Sequence, residues 1–287
     1  MNQLNYNSKS EIRRYLELKK LGLKKRFGQN FLISQNARTQ LVDSLASTKD
    51  DIIWEIGPGL GALTSHLVDE ALTVVAFEVD HGFIRALHEL FTSAENLQIV
   101  AGDFLDTWQE ARLRFGEPDK IVGNLPYNSA SSILAALAVG GFLCDCVVCT
   151  VQKELANRMT AKPGTRDYSS FSIFIQTTWR VTRVGELNPG SFYPQPRIVS
   201  SILKLEPAVE LNIENKSFFF EIVRASFQNR RKTLRNVLTS QYQALKKNPT
   251  YLTNILEQEG FGREVRPEKL SPEDFILLAN RLCSVIH

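Results

Sequence analysis

From about residue 51 the chain alternates short β-branched apolar runs with segments of helical spacing. Runs at 52–56, 73–77, 97–100, 120–122 and 146–151 read as strands, while the apolar positions of 63–68, 83–91 and 133–139 recur as on one face of a helix. Strands separated by helices return in the same direction, so the rhythm predicts a mostly parallel sheet with helices on both faces. A last strand-like run, 199–205, leads through Glu206-Pro207 into a polar connection. Beyond it the spacing is helical over 218–227, 233–245, 251–258 and 271–282, where Ser271-Pro272-Glu273-Asp274 offers a cap, a first-turn proline and acids against the helix dipole. Two domains are therefore expected, an α/β domain over 1–206 and a small all-helical one over 207–287. No internal repeat interrupts them. Open parallel sheets bind ligands at the carboxyl ends of their strands, so chemistry is to be sought just after each apolar run.

Four such places carry candidate chemistry. The run 52–56 leads into Glu55-Ile56-Gly57-Pro58-Gly59-Leu60-Gly61. Glycines there let the backbone turn and approach a ligand closely, and Gly57 and Gly59 are the candidate contacts. The spacing is G-x-G-x-G, whereas dinucleotide-binding loops carry G-x-G-x-x-G, and Ala62 stands at the third glycine of that pattern. Glu78 ends the second strand and can accept both hydroxyls of a ribose. Asp103 follows the third and can accept from an adenine amine. The three imply an adenosine-containing cofactor, either a dinucleotide or S-adenosyl-L-methionine (SAM). The fourth place decides between them: run 120–122 ends in Gly123-Asn124-Leu125-Pro126-Tyr127-Asn128. The lone pair of an exocyclic adenine amine is delocalised into the ring. The Asn124 side-chain carbonyl and the Leu125 backbone carbonyl, held by the rigid proline, can accept both N–H bonds and leave that lone pair aimed at a methyl donor. Tyr127 supplies a stacking face for an extruded base. No oxidoreductase needs this set.

Composition narrows the class. The 287 residues are 43% hydrophobic, which suits a globular chain with a real core. Four cysteines staple nothing and read as thiols of a reducing compartment. The polar N-terminus lacks the apolar segment of a secretory signal. The long uncharged run 121–144 contains Asn124, Pro126, Asn128, three serines and Gly140-Gly141, and so fails as a membrane span. A soluble cytoplasmic monomer is expected. Cys144, Cys146 and Cys149 cannot converge from one strand and have no histidine nearby, so no metal is expected. The net charge of +3 hides a strong polarity: residues 1–28 carry eight Lys or Arg against two Glu, and residues 222–256 carry seven against no acid. Residues 51–120 carry four basic side chains against 13 acidic ones. An acidic body with two basic segments suits a polyanion such as nucleic acid. The candidate phosphate contacts are Lys24, Lys25 and Arg26 in the first segment and Arg224, Arg230, Arg231, Lys232 and Arg235 in the second. Arg230-Arg231-Lys232 also fits a nuclear signal, a reading that the family resemblance below disfavours.

These motifs, with Lys25-Arg-Phe-Gly-Gln-Asn-Phe-Leu32, residues 55–64 (E-I-G-P-G-L-G-A-L-T), Phe77-Glu78-Val79-Asp80, Gln152-Lys-Glu154, Phe192-Tyr-Pro-Gln-Pro-Arg-Ile-Val-Ser200 and Phe227-Gln-Asn-Arg-Arg-Lys-Thr-Leu-Arg-Asn236, make the sequence resemble the ribosomal RNA small-subunit adenine dimethyltransferases, the KsgA family. Its near relatives are the erythromycin-resistance ribosomal RNA methyltransferases. The likeness runs from about residue 24 to the end, and residues 227–236 favour the small-subunit enzymes. It implies a Rossmann-like SAM-dependent methyltransferase domain and a helical RNA-binding domain. It further implies methylation of N6 on two adjacent adenines of a hairpin near the 3′ end of 16S ribosomal RNA, free or in an assembling 30S-type subunit. By the same likeness Asn30 and Leu32 close over the cofactor with Gly57, Gly59, Glu78 and Asp103. Asn124 holds the amine, Tyr127 stacks on the adenine and Phe192 flanks it. A large-subunit enzyme of the resistance type and an assembly factor that mainly binds RNA are the alternatives. Ser169 stands where the family usually has glycine, which puts the local turn in question. Some 15 residues precede the family's usual start, either as an RNA contact or as a loose tail.

Overall fold

In a computed structural model of the chain, the structure describes residues 4–24, 28–209, 212–229 and 231–286. The chain divides into two compact units, residues 1–156 with 181–207, and residues 157–180 with 208–287.

The first unit opens with α1 (Lys9–Leu18), capped by the Ser8 hydroxyl, which accepts from the Glu11 N–H. Ile12 and Leu16, one turn apart, bury the same face of α1. They join Tyr6, Phe31, Leu60 and Phe83 in one core cluster. Helix α1, ahead of Lys24, is thus a packed element and not a loose tail. Then follow β1 (Phe31–Leu32), α2 (Gln35–Leu45), β2 (Ile52–Ile56), α3 (Thr64–Leu67), β3 (Thr73–Glu78), α4 (His81–Leu90), β4 (Leu97–Ala101), α5 (Phe104–Phe115), β5 (Lys120–Asn124), α6 (Ala130–Val139) and β6 (Cys146–Gln152).

Helix α7 (Lys153–Met159) carries the chain into the second unit, where α8 (Ser170–Gln176) lies. The chain returns through β7 (Trp179–Leu187), β8 (Phe192–Tyr193) and β9 (Ser200–Pro207). Among the described residues the main sheet has seven strands, in the order β4-β3-β2-β5-β6-β9-β7. Strands β2, β3, β4, β5 and β6 pair in parallel, and β9 runs antiparallel to β6. Both faces are covered, which is why these strands read as continuous apolar runs. On β2, Ile53 packs with Leu41 and Val42 of α2. Its neighbour Trp54 faces the other way, into an aromatic group with Phe77 (ring centroids 5.0 Å apart), Phe104 and Phe142. Strands β1 and β8 form a separate two-stranded ladder pairing Leu32 with Phe192.

The second unit is helical: α8, then α9 (Lys216–Ser226), α10 (Leu234–Gln241), α11 (Gln243–Lys247), α12 (Pro249–Gln258) and α13 (Pro272–Ile286). Phe218, Phe219, Leu234, Leu252, Phe275 and Leu278 centre its core. The sequence puts all of 1–206 in the α/β domain, but residues 157–180 pack with the C-terminal helices. Tyr168 and Ile173 are fully buried in that second core, and the Tyr168 hydroxyl donates to the Leu270 carbonyl at 2.9 Å. At Ser169 the turn needs no glycine, because the residue is extended (φ −156°) and shares a reciprocal capping box with Ser172. Among the described residues no helix is long and apolar enough to cross a membrane.

Candidate active site

A half-open cleft lies at the carboxyl ends of β2, β3, β4 and β5, where an open parallel sheet binds its ligand. Its floor is the turn after β2. Gly57, Gly59 and Gly61 have φ of 74°, 60° and 86°, a region that L side chains rarely adopt. At Gly59 a Cβ would also stand 3.2 Å from the Phe31 ring, and at Gly61 one would collide with the ring of Phe91. The loop is held from below by Thr64, whose hydroxyl donates to Glu55 at 2.6 Å, and from behind by Tyr6, whose hydroxyl donates to the Leu60 carbonyl at 2.9 Å.

Glu78, at the tip of β3, is buried, with one carboxylate oxygen accepting from the Gly59 N–H at 3.0 Å and the other from the Asp80 N–H at 2.8 Å. Burial pushes its carboxyl up to about 7 against those two bonds, with the neighbouring Asp80 adding to the rise. Glu55, also on the cleft wall, is pushed up to about 7 by burial, which outweighs its bonds from Thr64. Asp103 caps α5 through the Leu105 N–H (3.0 Å) and lines the cleft from an exposed position. These carboxylate acceptors sit above an apolar wall that includes Phe77, Phe104 and Ile133. That acceptor set fits an adenosyl group, whose hydroxyls and amine are donors, and its negative charge fits a sulfonium.

Asn124 closes β5 on the rim. Its side-chain nitrogen donates to the Asn30 carbonyl at 2.6 Å, and its carbonyl oxygen accepts from the Thr150 hydroxyl. Asn30 and Leu32 line the same cleft, and the Leu32 carbonyl accepts from the buried guanidinium of Arg38 at 3.0 Å. Leu125 buries its side chain in the core. Tyr127 is half-buried between the cleft-lining Pro126 and Asn128, with its hydroxyl 2.5 Å from Ser200 Oγ. Burial raises the Tyr127 phenol above its ordinary range, and Ser200 opposes that rise.

The structure thus brings Asn30, Leu32, Gly57, Gly59, Glu78, Asp103 and Asn124 to one cleft. Phe192, expected to flank the base, is not brought there. Its pairing with Leu32 turns it inward, and the ring is fully buried in the core beside Leu41 and Val148. Lys24, expected on phosphate, is ion-paired with Asp80 at 2.9 Å, and Gln29 donates to the same carboxylate oxygen at 3.4 Å. Arg224, Arg231 and Lys232 are exposed on the second unit and Arg235 is partly exposed, with the Arg224 guanidinium over the Phe174 ring at 5.7 Å. Lys25, Arg26 and Arg230 lie outside the described residues. Cys144, Cys146 and Cys149 are free, buried thiols, and among the described residues no cluster of three or more His, Cys, Asp or Glu is placed to hold a metal. Sequence reasoning missed Tyr6, Thr150 and Ser200. Tyr6 and Thr150 belong to no motif and Ser200 only closes one; each is noticed through the bond it makes, to the Leu60 carbonyl, Asn124 Oδ1 and the Tyr127 hydroxyl.

A parallel-centred sheet, a glycine turn after β2, carboxylates ending β3 and opening α5, and Asn-Leu-Pro-Tyr ending β5 define a Rossmann-like methyltransferase. The chain belongs to the ribosomal RNA adenine dimethylase family, whose sequence profile matches residues 21–282. It is similar to the protein named Ribosomal RNA small subunit methyltransferase A of Borreliella burgdorferi, 38% identical over 283 residues that cover 97% of this chain and 95% of that protein. It is also similar to the protein of the same name from Treponema denticola, 36% identical over 281 residues, 96% of this chain and 95% of that one. A crystal structure of a dimethyladenosine transferase from Plasmodium falciparum superposes with a TM-score of 0.76 at 26% identity, covering 88% of this chain and 96% of that chain. The crystal structure of the 23S rRNA methyltransferase ErmE shares the fold, with a TM-score of 0.65 at 22% identity over 88% of this chain and 99% of that one. The family's cofactor is S-adenosyl-L-methionine.

Proposed function

We propose that this chain dimethylates N6 of two adjacent adenosines in the 3′-terminal hairpin of small-subunit (16S) ribosomal RNA, and so takes part in small-subunit biogenesis. The observation that carries this reading is the Asn124 carboxamide on the rim of an acidic, adenosyl-fitting cleft, fixed at both its nitrogen and its oxygen. The names of the curated relatives, small-subunit enzymes over nearly the whole chain, favour it over a large-subunit enzyme.

In this reading Glu78 accepts the ribose hydroxyls of SAM, Asp103 accepts from its adenine amine, Gly57 and Gly59 let the backbone approach it, and Asn30 and Leu32 close the near side. SAM supplies an electrophilic methyl on a sulfonium. Asn124 Oδ1 and the Leu125 carbonyl accept the two N–H bonds of the target amine and turn its lone pair toward that methyl. Tyr127, its ring fixed through Ser200, offers the stacking face. Phe192 is left out of this set as a packing residue. Displacement at a methyl needs alignment and exclusion of water more than a strong base, so no dedicated general base is assigned, and the amine's proton passes to solvent after transfer.

In this reading the chain acts as a monomer on the ribosomal RNA hairpin or a partly assembled 30S-type subunit. The buried free thiols suit the cytoplasm. The test is incubation with labelled SAM and undermethylated small subunits, followed by nucleoside analysis and primer extension. Dimethyladenosine at two adjacent small-subunit positions is expected, whereas modification of large-subunit RNA alone overturns the reading. Asn124→Ala should cut the rate by at least about 10²-fold while RNA binding in a filter assay persists, which separates a catalyst from an assembly factor that only binds.

A further inference from the structure

We propose that Thr150 is a positioning residue for the methyl transfer, its hydroxyl locking the Asn124 carboxamide in the orientation the target amine requires. The inference rests on the function proposed above. In β6 the stretch Cys146-Val147-Val148-Cys149-Thr150-Val151 is buried throughout, and Thr150 is its one polar member, at 0% exposure. Valine has the same shape and serves packing as well, so the hydroxyl has a task other than filling space. The parallel ladder between β5 and β6 sets Thr150 directly beside Asn124. Adjacent in-register side chains of such a pair project to the same side of the sheet.

The direction of each bond follows from chemistry. A backbone carbonyl only accepts, so the atom that Asn124 turns to the Asn30 carbonyl at 2.6 Å is its NH2 nitrogen. Asn124 Oδ1 therefore faces Thr150. A carboxamide oxygen only accepts, so the hydroxyl donates. One lone pair of Oδ1 is taken and one is left for an incoming N–H. Rotation of the carboxamide by half a turn would set Oδ1 against the Asn30 carbonyl and present a donor NH2 to the amine; without Thr150 only the Asn30 bond opposes that turn, and the Oδ1 end is free to swing. Two fixed ends exclude that state before substrate arrives, the kind of preorganisation that raises kcat and leaves binding alone.

Wild type, Thr150→Val, Thr150→Ser and Thr150→Cys are compared in two measurements. Steady-state kinetics use labelled SAM and undermethylated small subunits. Side-chain amide NMR of Asn124, recorded on the ligand-free chain, reports whether its two Nδ2 protons are distinct and slow to exchange with solvent. Thr150→Val should lower kcat by about tenfold or more, with KM for SAM and RNA affinity within about twofold of wild type. Its Asn124 amide protons should exchange faster. Thr150→Ser keeps the hydroxyl and should recover both readouts. If valine prevents folding, cysteine, close to serine in size but a poor donor, must behave as valine is expected to. Wild-type kcat in Thr150→Val, or Asn124 amide protons unchanged by loss of the hydroxyl, overturns the proposal. A wild-type chain that makes no dimethyladenosine defeats the reading of function instead, and the Asn124 amide spectrum alone then decides on Thr150.

Discussion

Glu78 and Glu55 are two buried carboxyls on one cleft wall, each pushed up to about 7 from an ordinary value of 4.5. The raised value means that the folded chain favours their protonated forms. Their contribution to stability is therefore complete below about 4.5 and is lost as pH rises through about 7. Accepting ribose hydroxyls needs the opposite form of Glu78, an ionised carboxylate. The melting temperature of the ligand-free chain should fall between pH 5 and 8 in scanning calorimetry, while SAM affinity by titration calorimetry should rise over the same range. Glu78→Gln should weaken SAM binding about tenfold or more and flatten its pH dependence. A Glu78→Gln chain whose SAM affinity still climbed with pH would move the titration to Glu55. Glu78, Asp103 and Asn124 were legible in the sequence because each stands in a fixed place, just past an apolar run. Glu55 was visible within the glycine motif but had no evident role, because its partner Thr64 is recognised as such only once the turn is folded. The partner of Lys24 was not legible, because a lysine in a basic run gives no hint that Asp80, 56 positions on, lies beside it.

At the scale of the element, α1 shows what a short polar helix ahead of the family's core contributes. Its Ile12 and Leu16 close one cluster with Leu60 of the glycine turn and Phe83 of α4, and Tyr6 bonds the Leu60 carbonyl. The segment therefore supports the cofactor turn from the side away from the cleft. Ile12→Ala should destabilise the chain by about 2–4 kcal/mol in urea unfolding, and Tyr6→Phe by about 1 kcal/mol. Exposed Arg14→Ala should change stability by less than about 0.5 kcal/mol. A neutral Ile12→Ala would return α1 to a surface tail. The strands from β2 to β6 were legible as β-branched runs because both faces of the sheet are covered. Strand β7 was not, since Arg180, Arg183 and Glu186 interrupt its apolar pattern at the sheet's end. Residues 157–180 were assigned to the wrong side of the domain division for a different reason. Local spacing predicts elements, whereas the cluster that Tyr168 and Ile173 join is set by contacts with residues far along the chain.

At the scale of the molecule the charge is divided between units. The acidic stretch 51–120 belongs to the first unit with its cleft, the basic residues 1–28 belong to that same unit, and the basic residues 222–256 belong to the second. Not all of that positive charge is available to a partner. Arg13 pairs with Glu17, Lys19 with Glu89 and Lys24 with Asp80, so these cations already have carboxylates close by. On the second unit Arg231 and Lys232 are exposed. Phosphate contacts set affinity and its dependence on salt, while the base is read in a pocket. RNA binding should then fall by about 10³-fold between about 50 and 200 mM salt. Arg231→Glu with Lys232→Glu should lower the slope of log affinity against log salt by about one for each phosphate that is no longer neutralised, whereas Arg13→Ala should barely move it. Neither Arg231 nor Lys232 lines the cleft, so SAM affinity should stay as it was. A salt slope indifferent to Arg231 and Lys232 would turn the second basic segment into a solvated helix face and leave phosphate binding to the first unit.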